Sequence, residues 1–139
     1  MATKMMKEVM EYLDDQNMHY KANEEKNVIE MGISGLDNIK SVKILLIFEE
    51  NERMVGLRVY NVCDFPEDKA DALYRVCSQM NHKFRWMKFY VDETDWSITA
   101  ENDAIISEGT AGDELLELSA RAAGIVDEAY PNFMKAIWA

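Results

Sequence analysis

The chain has 139 residues, 26 of them acidic and 15 basic, for a net charge of -11. A domain of this size buries roughly two-thirds of its unfolded surface without help from metals or disulfides, so residues 1–139 read as one domain. The acid is dispersed over EENE, DETD, END and GDELLE, and no basic stripe exists to displace counterions, which excludes nucleic acid and an anionic membrane surface as partners.

The longest unbroken aliphatic or aromatic run, Ile44 to Phe48, is far short of the roughly 20 residues a bilayer span needs. At the N-terminus, MATKMMKEVMEYLDD interleaves charges with its apolar residues instead of presenting a secretion leader, so the protein is expected in the cytoplasm. Cys63 and Cys77 have no CxxC and no framework of spacings, and they read as reduced core thiols.

Thr3 can cap a first helix of about 12 residues, in which Met5, Val9 and Leu13 form one row and Met6 and Met10 another. Met18 to Ala22 is short, a brief strand at most, and NEEK (Asn23 to Lys26) is a turn before the strand VIEMGIS. Gly32, Gly35 and GLDN make the next turn. SVKILLIFEE follows, with Val42, Ile44, Leu46 and Phe48 facing one way and Lys43, Leu45 and Ile47 the other. ENER is a hairpin loop, and MVGLRVYNV returns with Val55, Leu57 and Val59 opposed to Met54, Arg58 and Tyr60. These three strands form an antiparallel meander.

Asp64 to Tyr90 organises the rest. Asp64 is expected to cap a helix with Pro66 in its first turn, where a missing amide hydrogen is no loss. Ala70, Leu73, Cys77 and Met80 fall on one face, flanked by Tyr74 and Val76, while Lys69, Asp71, Arg75 and Gln79 face water. Asn81 is expected to end the helix in the left-handed conformation, helped by His82, Lys83 and Arg85 at the negative end of the dipole. RWMKFYV then alternates Trp86, Lys88 and Tyr90 against Met87, Phe89 and Val91, the second set lying under the helix. Asp92 to Asp95 is an acidic turn, WSITAEND the last strand, and a long helix starts at Thr110 with Leu115, Leu118, Ala122, Ile125 and Ala129 on one face. Pro131 is expected to kink or break it near Tyr130.

Nothing in this order carries a catalytic motif. His19 and His82 lack a second ligand at metal-binding spacing, and Cys77 points into apolar surroundings that raise a thiol's pKa. Glu49, Glu50 and Glu52, like Asp92, Glu93 and Asp95, sit in turns as solvated charge without the calcium-loop pattern. Neither GxGxxG, a phosphate loop nor GxSxG is present, and MGISG has the wrong order. No metal, cofactor or catalytic residue is assigned.

The order helix, three strands, helix, two strands, long helix resembles the YbjN family of bacterial proteins, described as sensory transduction regulators. The residues that carry the resemblance are Pro66, Leu73, the Met80 to Asn81 pair, KFYVDETDWSITAE and the terminal helix with Tyr130 and Pro131. That fold also looks like the type III secretion chaperones, which are small, acidic, dimeric, cytoplasmic and bind extended segments of partner proteins. Neither family lends the chain a catalytic residue.

The expected fold is α+β, a five-stranded antiparallel sheet with helices on one face, chaperone-like in outline. The expected function is a non-catalytic, regulatory or chaperone-like module that binds protein. A small-ligand sensor is the alternative, and an enzyme whose site is assembled from distant residues is third. Three helices can blanket one sheet face. The other still shows Leu45, Ile47, Met54, Tyr60, Trp86 and Tyr90, interrupted by Lys43, Arg58 and Lys88. A face of this kind is the candidate surface for a homodimer or a protein partner.

Overall fold

The computed structural model describes residues 2–51 and 53–139. It is an α+β fold. Helix α1 (Lys4–Asp15) leads to strands β1 (Lys21–Asn23), β2 (Val28–Ser34), β3 (Ser41–Phe48) and β4 (Met54–Asp64); a short 3-10 turn, Glu67–Lys69, opens helix α2 (Ala70–Lys83). Strands β5 (Lys88–Asp92) and β6 (Ser97–Ile105) follow, then helix α3 (Ala111–Trp138). All strand pairs are antiparallel, in the spatial order β1-β2-β3-β4-β6-β5.

The sheet has six strands where five were expected. The added strand, β1, is exposed at every residue, so no apolar alternation marks it; it exists through backbone pairing of Lys21 to Asn23 with Val28 to Glu30 across a tight turn. The meander β2-β3-β4 forms as the alternation requires, although the hairpin loop ENER includes Glu52, which lies outside the described residues. Period-two burial sends Val42, Ile44, Leu46 and Phe48 of β3, Val55, Leu57 and Val59 of β4, and Phe89 and Val91 of β5 to the inner face. There they meet Met6, Val9 and Leu13 of α1, Leu73, Cys77 and Met80 of α2, and Leu115, Val126 and Phe133 of α3. Phe89 and Phe133 pack with ring centroids 5.5 Å apart.

Thr3 caps α1 as expected, its Oγ1 accepting from the Met6 amide at 3.1 Å. Asp64 does not cap α2: it is the last residue of β4, paired with Ser97, and Pro66 sets the extended geometry before the 3-10 turn. Nor does Asn81 end α2. It stays helical, and its side chain reaches β5, accepting from the Phe89 amide at 2.7 Å and donating to the Phe89 carbonyl at 3.1 Å. The left-handed residue at this corner is Trp86, φ 76°.

Pro131 does not break α3, which runs unbroken from Ala111 to Trp138. A proline at 131 cannot donate to the carbonyl of Asp127, four residues back. That carbonyl accepts instead from Nδ2 of Asn38 at 3.1 Å, so the helix passes the proline with no orphaned acceptor there. The buried stripe of α3 also lies slightly round from the expected one. Ser119, Val126 and Asp127 are buried with Leu115, Ala122 and Ala129, while Leu118 and Ile125 are half-buried at its margin.

Candidate functional site

The outer sheet face, turned away from the helices, holds the residues expected to form a contact surface. Antiparallel register places Glu30 opposite Leu45, Leu45 opposite Arg58, Arg58 opposite Glu101, and Glu101 opposite Lys88, one row across five strands. Charges therefore alternate in sign along it on either side of Leu45. Beside this row Ile47 faces Gly56, Gly56 faces Asp103, and Met54 faces Ile105; Tyr90 stands opposite Thr99.

Arg58 is the centre. Its Nε lies 3.0 Å from Glu101, its Nη2 3.0 Å from Asp103, and its Nη1 donates to the carbonyls of Leu57 and Asn102, each at 3.0 Å. Lys88 approaches the other oxygen of Glu101 at 3.1 Å, and Lys43 reaches Glu30 at 3.9 Å. The guanidinium folds back over Gly56, where a Cβ would stand only 3.2 Å from Nη1. Glycine there gives the arginine its path. The side chains of Arg58 and Glu101 are only 20% and 15% exposed, so this is a half-buried, fork-shaped pairing and not a loose surface contact.

Around the network stand large exposed side chains: Tyr60 at 52%, Met54 at 40%, Tyr90 at 37% and Ile105 at 68%, with Leu45 and Ile47 half-buried among them. Tyr60 opens the irregularity of β4 between Val59 and Cys63, where Asn61 turns left-handed and the register against β6 shifts. Trp86, 63% exposed, lies outside β5 and at the rim of the face. The expected residues thus share one surface, with Trp86 at its border. Sequence patterning missed its acidic half, because Glu30, Glu101 and Asp103 come from strands whose register is invisible until the sheet is assembled. Ile105, at the end of the last strand in the run ENDAII, was missed with them.

No pairing of nucleophile and base appears on this surface. The Cys63 and Cys77 thiols are both pushed up to about 12, by burial and, for Cys63, also by Asp64 and by Cys77. His19 and His82 are exposed. Asp92 is held below the usual carboxylate range by the Thr94 hydroxyl and amide, which close the acidic turn before β6. Among the described residues no group of three or more His, Cys, Asp or Glu could hold a metal ion, and no helix is long and apolar enough to cross a membrane.

The model of the YbjN family, described as "Putative bacterial sensory transduction regulator", matches residues 7–134. Among solved structures the fold is similar to that entitled "Crystal structure of YbjN, a putative transcription regulator from E. coli", with a TM-score of 0.61 and 12% sequence identity over 88% of this chain and 85% of that one. No curated protein matches the sequence.

Proposed function

Since the chain belongs to the YbjN family, we propose that it is a non-catalytic regulatory or chaperone-like module that acts by binding protein, and that two copies pair through the outer sheet face. The observation that carries this reading is the gathering of Met54, Tyr60, Tyr90 and Ile105 on one face, each at least 37% exposed, around a charge network already satisfied within the chain. Aromatic and long apolar side chains with paired arginine are what interface cores contain, and water is a poor neighbour for so many of them together. A twofold axis is the commonest way to cover such a face. The compartment is the cytoplasm, in keeping with two buried, unpaired thiols.

Sedimentation equilibrium at tens of micromolar tests the pairing. A mass twice that of the chain is expected, falling to one chain mass when Tyr60→Asp and Tyr90→Asp are combined at these exposed positions. A single-chain mass for the unaltered protein overturns it. Arg58 is unsuitable for this test, since Arg58→Glu would set a third carboxylate beside Glu101 and Asp103 and unsettle the sheet itself.

A further inference from the structure

Strand β6 is longer than its neighbour. Strand β5 covers it from Ser97 to Glu101 and stops at the Lys88 to Glu101 pair, whereas β6 continues to Ile105. The amide of Ile106 donates to Arg53 at 2.9 Å, on the β4 side. Backbone groups alternate sides along a strand, so those of Ala104 and Asn102 also point to β4 and those of Asp103 and Ile105 point the other way. The same alternation directs Phe89 of β5 outward, where Asn81 takes both its groups. Among the described residues nothing takes those of Asp103 and Ile105.

The chain that would have continued β5 over them is turned aside at Trp86. A φ of 76° is an outlier for so bulky a side chain, and the Trp86 carbonyl is held by Nδ2 of Asn102. Between Trp86, the end of β6 and α3 lies a groove of about 360 Å³, floored by Ala104, Ile106, Leu115 and Leu118. On its α3 side stand Glu114, Glu117 and Arg121, the last tied to Glu117 at 3.4 Å.

We propose that this open edge of β6 takes an extended, basic segment of a partner protein, which adds as a strand in line with β5 and seats an apolar side chain between Trp86 and Leu118. Donor and acceptor pairs two residues apart call for an extended backbone, and the apolar floor beside them supplies the side-chain pocket that such strand addition uses. The sign of the charge selects the occupant. Glu114 and Glu117 outnumber Arg121 at the groove, and the whole chain carries -11, so an acidic segment or the same edge of a second copy would be repelled. The slot adjoins the outer face at Ile105 and Trp86 but is built from the backbone edge of β6 and the α3 side of the groove, so pairing of two copies through the outer face can fail in the centrifuge without affecting it.

The test is selection of displayed random nine-residue peptides on the whole protein, followed by binding of the synthetic winners to it and to Ile105→Pro. Proline at 105 removes the outward amide and leaves the ladder to β4 intact, so the variant's denaturation midpoint should stay near that of the parent. The expected winners carry Lys or Arg and alternate apolar residues, bind Ile105→Pro roughly tenfold or more weakly, and weaken with Glu114→Lys plus Glu117→Lys. In the unaltered protein they slow hydrogen exchange at the Asp103 and Ile105 amides. If Ile105→Pro loses fold, the exchange measurement alone decides. No winners, acidic winners, unchanged exchange, or exchange already slow in the free protein and quickened by dilution would each overturn the proposal, the last by assigning the edge to a second copy.

Discussion

Asn38 donates from Nδ2 to the main-chain carbonyl of Asp127 at 3.1 Å, while the Asp127 carboxylate accepts the amides of Asn38 and Ile39 at 2.8 Å and of Asp37 at 3.1 Å. The loop between β2 and β3 is thereby clamped to α3 one turn before Pro131. The clamp serves two ends at once, holding the loop's amides and filling the vacancy that the proline leaves in the helix.

That double duty predicts coupling between Asn38 and Pro131. Asn38→Ala leaves the Asp127 carbonyl without a donor and should cost about 1–3 kcal/mol. With Pro131→Ala, residue 131 regains an amide that can serve the same carbonyl, so the cost of Asn38→Ala should shrink in that background. Urea denaturation of the four proteins in the cycle measures it, and strict additivity would show that the two residues do not share the acceptor.

The Asp127 carboxylate also predicts an acid sensitivity. Burial alone would raise its pKa, but the amides of Asn38, Ile39 and Asp37 together with the Asn38 side chain outweigh burial and hold it below its ordinary value of 3.8. A carboxyl depressed in the folded state contributes stability that is present above its unfolded pKa and is lost as pH falls through the folded value. Thermal midpoints should therefore drop as pH is lowered below about 4, and Asp127→Asn should start lower at neutral pH and drop less. Parallel curves for the two proteins would assign the acid loss elsewhere.

The alternation in SVKILLIF and MVGLRV and the helical stripe of Leu73, Cys77 and Met80 were readable from the sequence, since burial of one face follows from residue spacing alone. The ends of elements were not. Asp64 has the chemistry of a cap, yet Phe65 is 7% exposed and its amide is bonded to Trp96, so the chain stays in the sheet one residue longer than the capping pattern implies. Pro131 looked like a break because its compensation comes from Asn38, 93 positions away in the chain. For the contact surface, Arg58 and Lys88 were legible as cations among apolar residues. Their partners were not, because a strand's register against β6 depends on the bulge at Asn61 and cannot be counted from the sequence.

Both cysteines should be silent toward reagents in the native protein. With thiols pushed up to about 12 and side chains no more than 8% exposed, Cys63 and Cys77 present almost no thiolate at pH 8. Titration with a chromogenic disulfide should register no fast-reacting thiol until denaturant is added and then two. A thiol reacting at the rate of a free cysteine in the folded protein would show that β4 and α2 part locally near Cys63.

The last expectation concerns the outer edge of β5, on the same side of the sheet as the open end of β6. Strand β5 is an edge strand, and Phe89, opposite Ala100, turns its amide and carbonyl outward. Asn81 receives one and supplies the other, so α2 occupies an edge that would otherwise template pairing with another chain. Asn81→Leu keeps the helix and its size but removes both bonds. We expect a loss of about 1–3 kcal/mol and faster hydrogen exchange at Phe89, with a rise in light scattering on storage at high concentration. Asn81→Asp separates the two contacts: the carboxylate still accepts from the Phe89 amide but faces its carbonyl with no donor, so it should lie between the parent and Asn81→Leu in stability. If Asn81→Leu is as stable as the parent and Phe89 exchanges no faster, the side-chain clamp does not guard this edge.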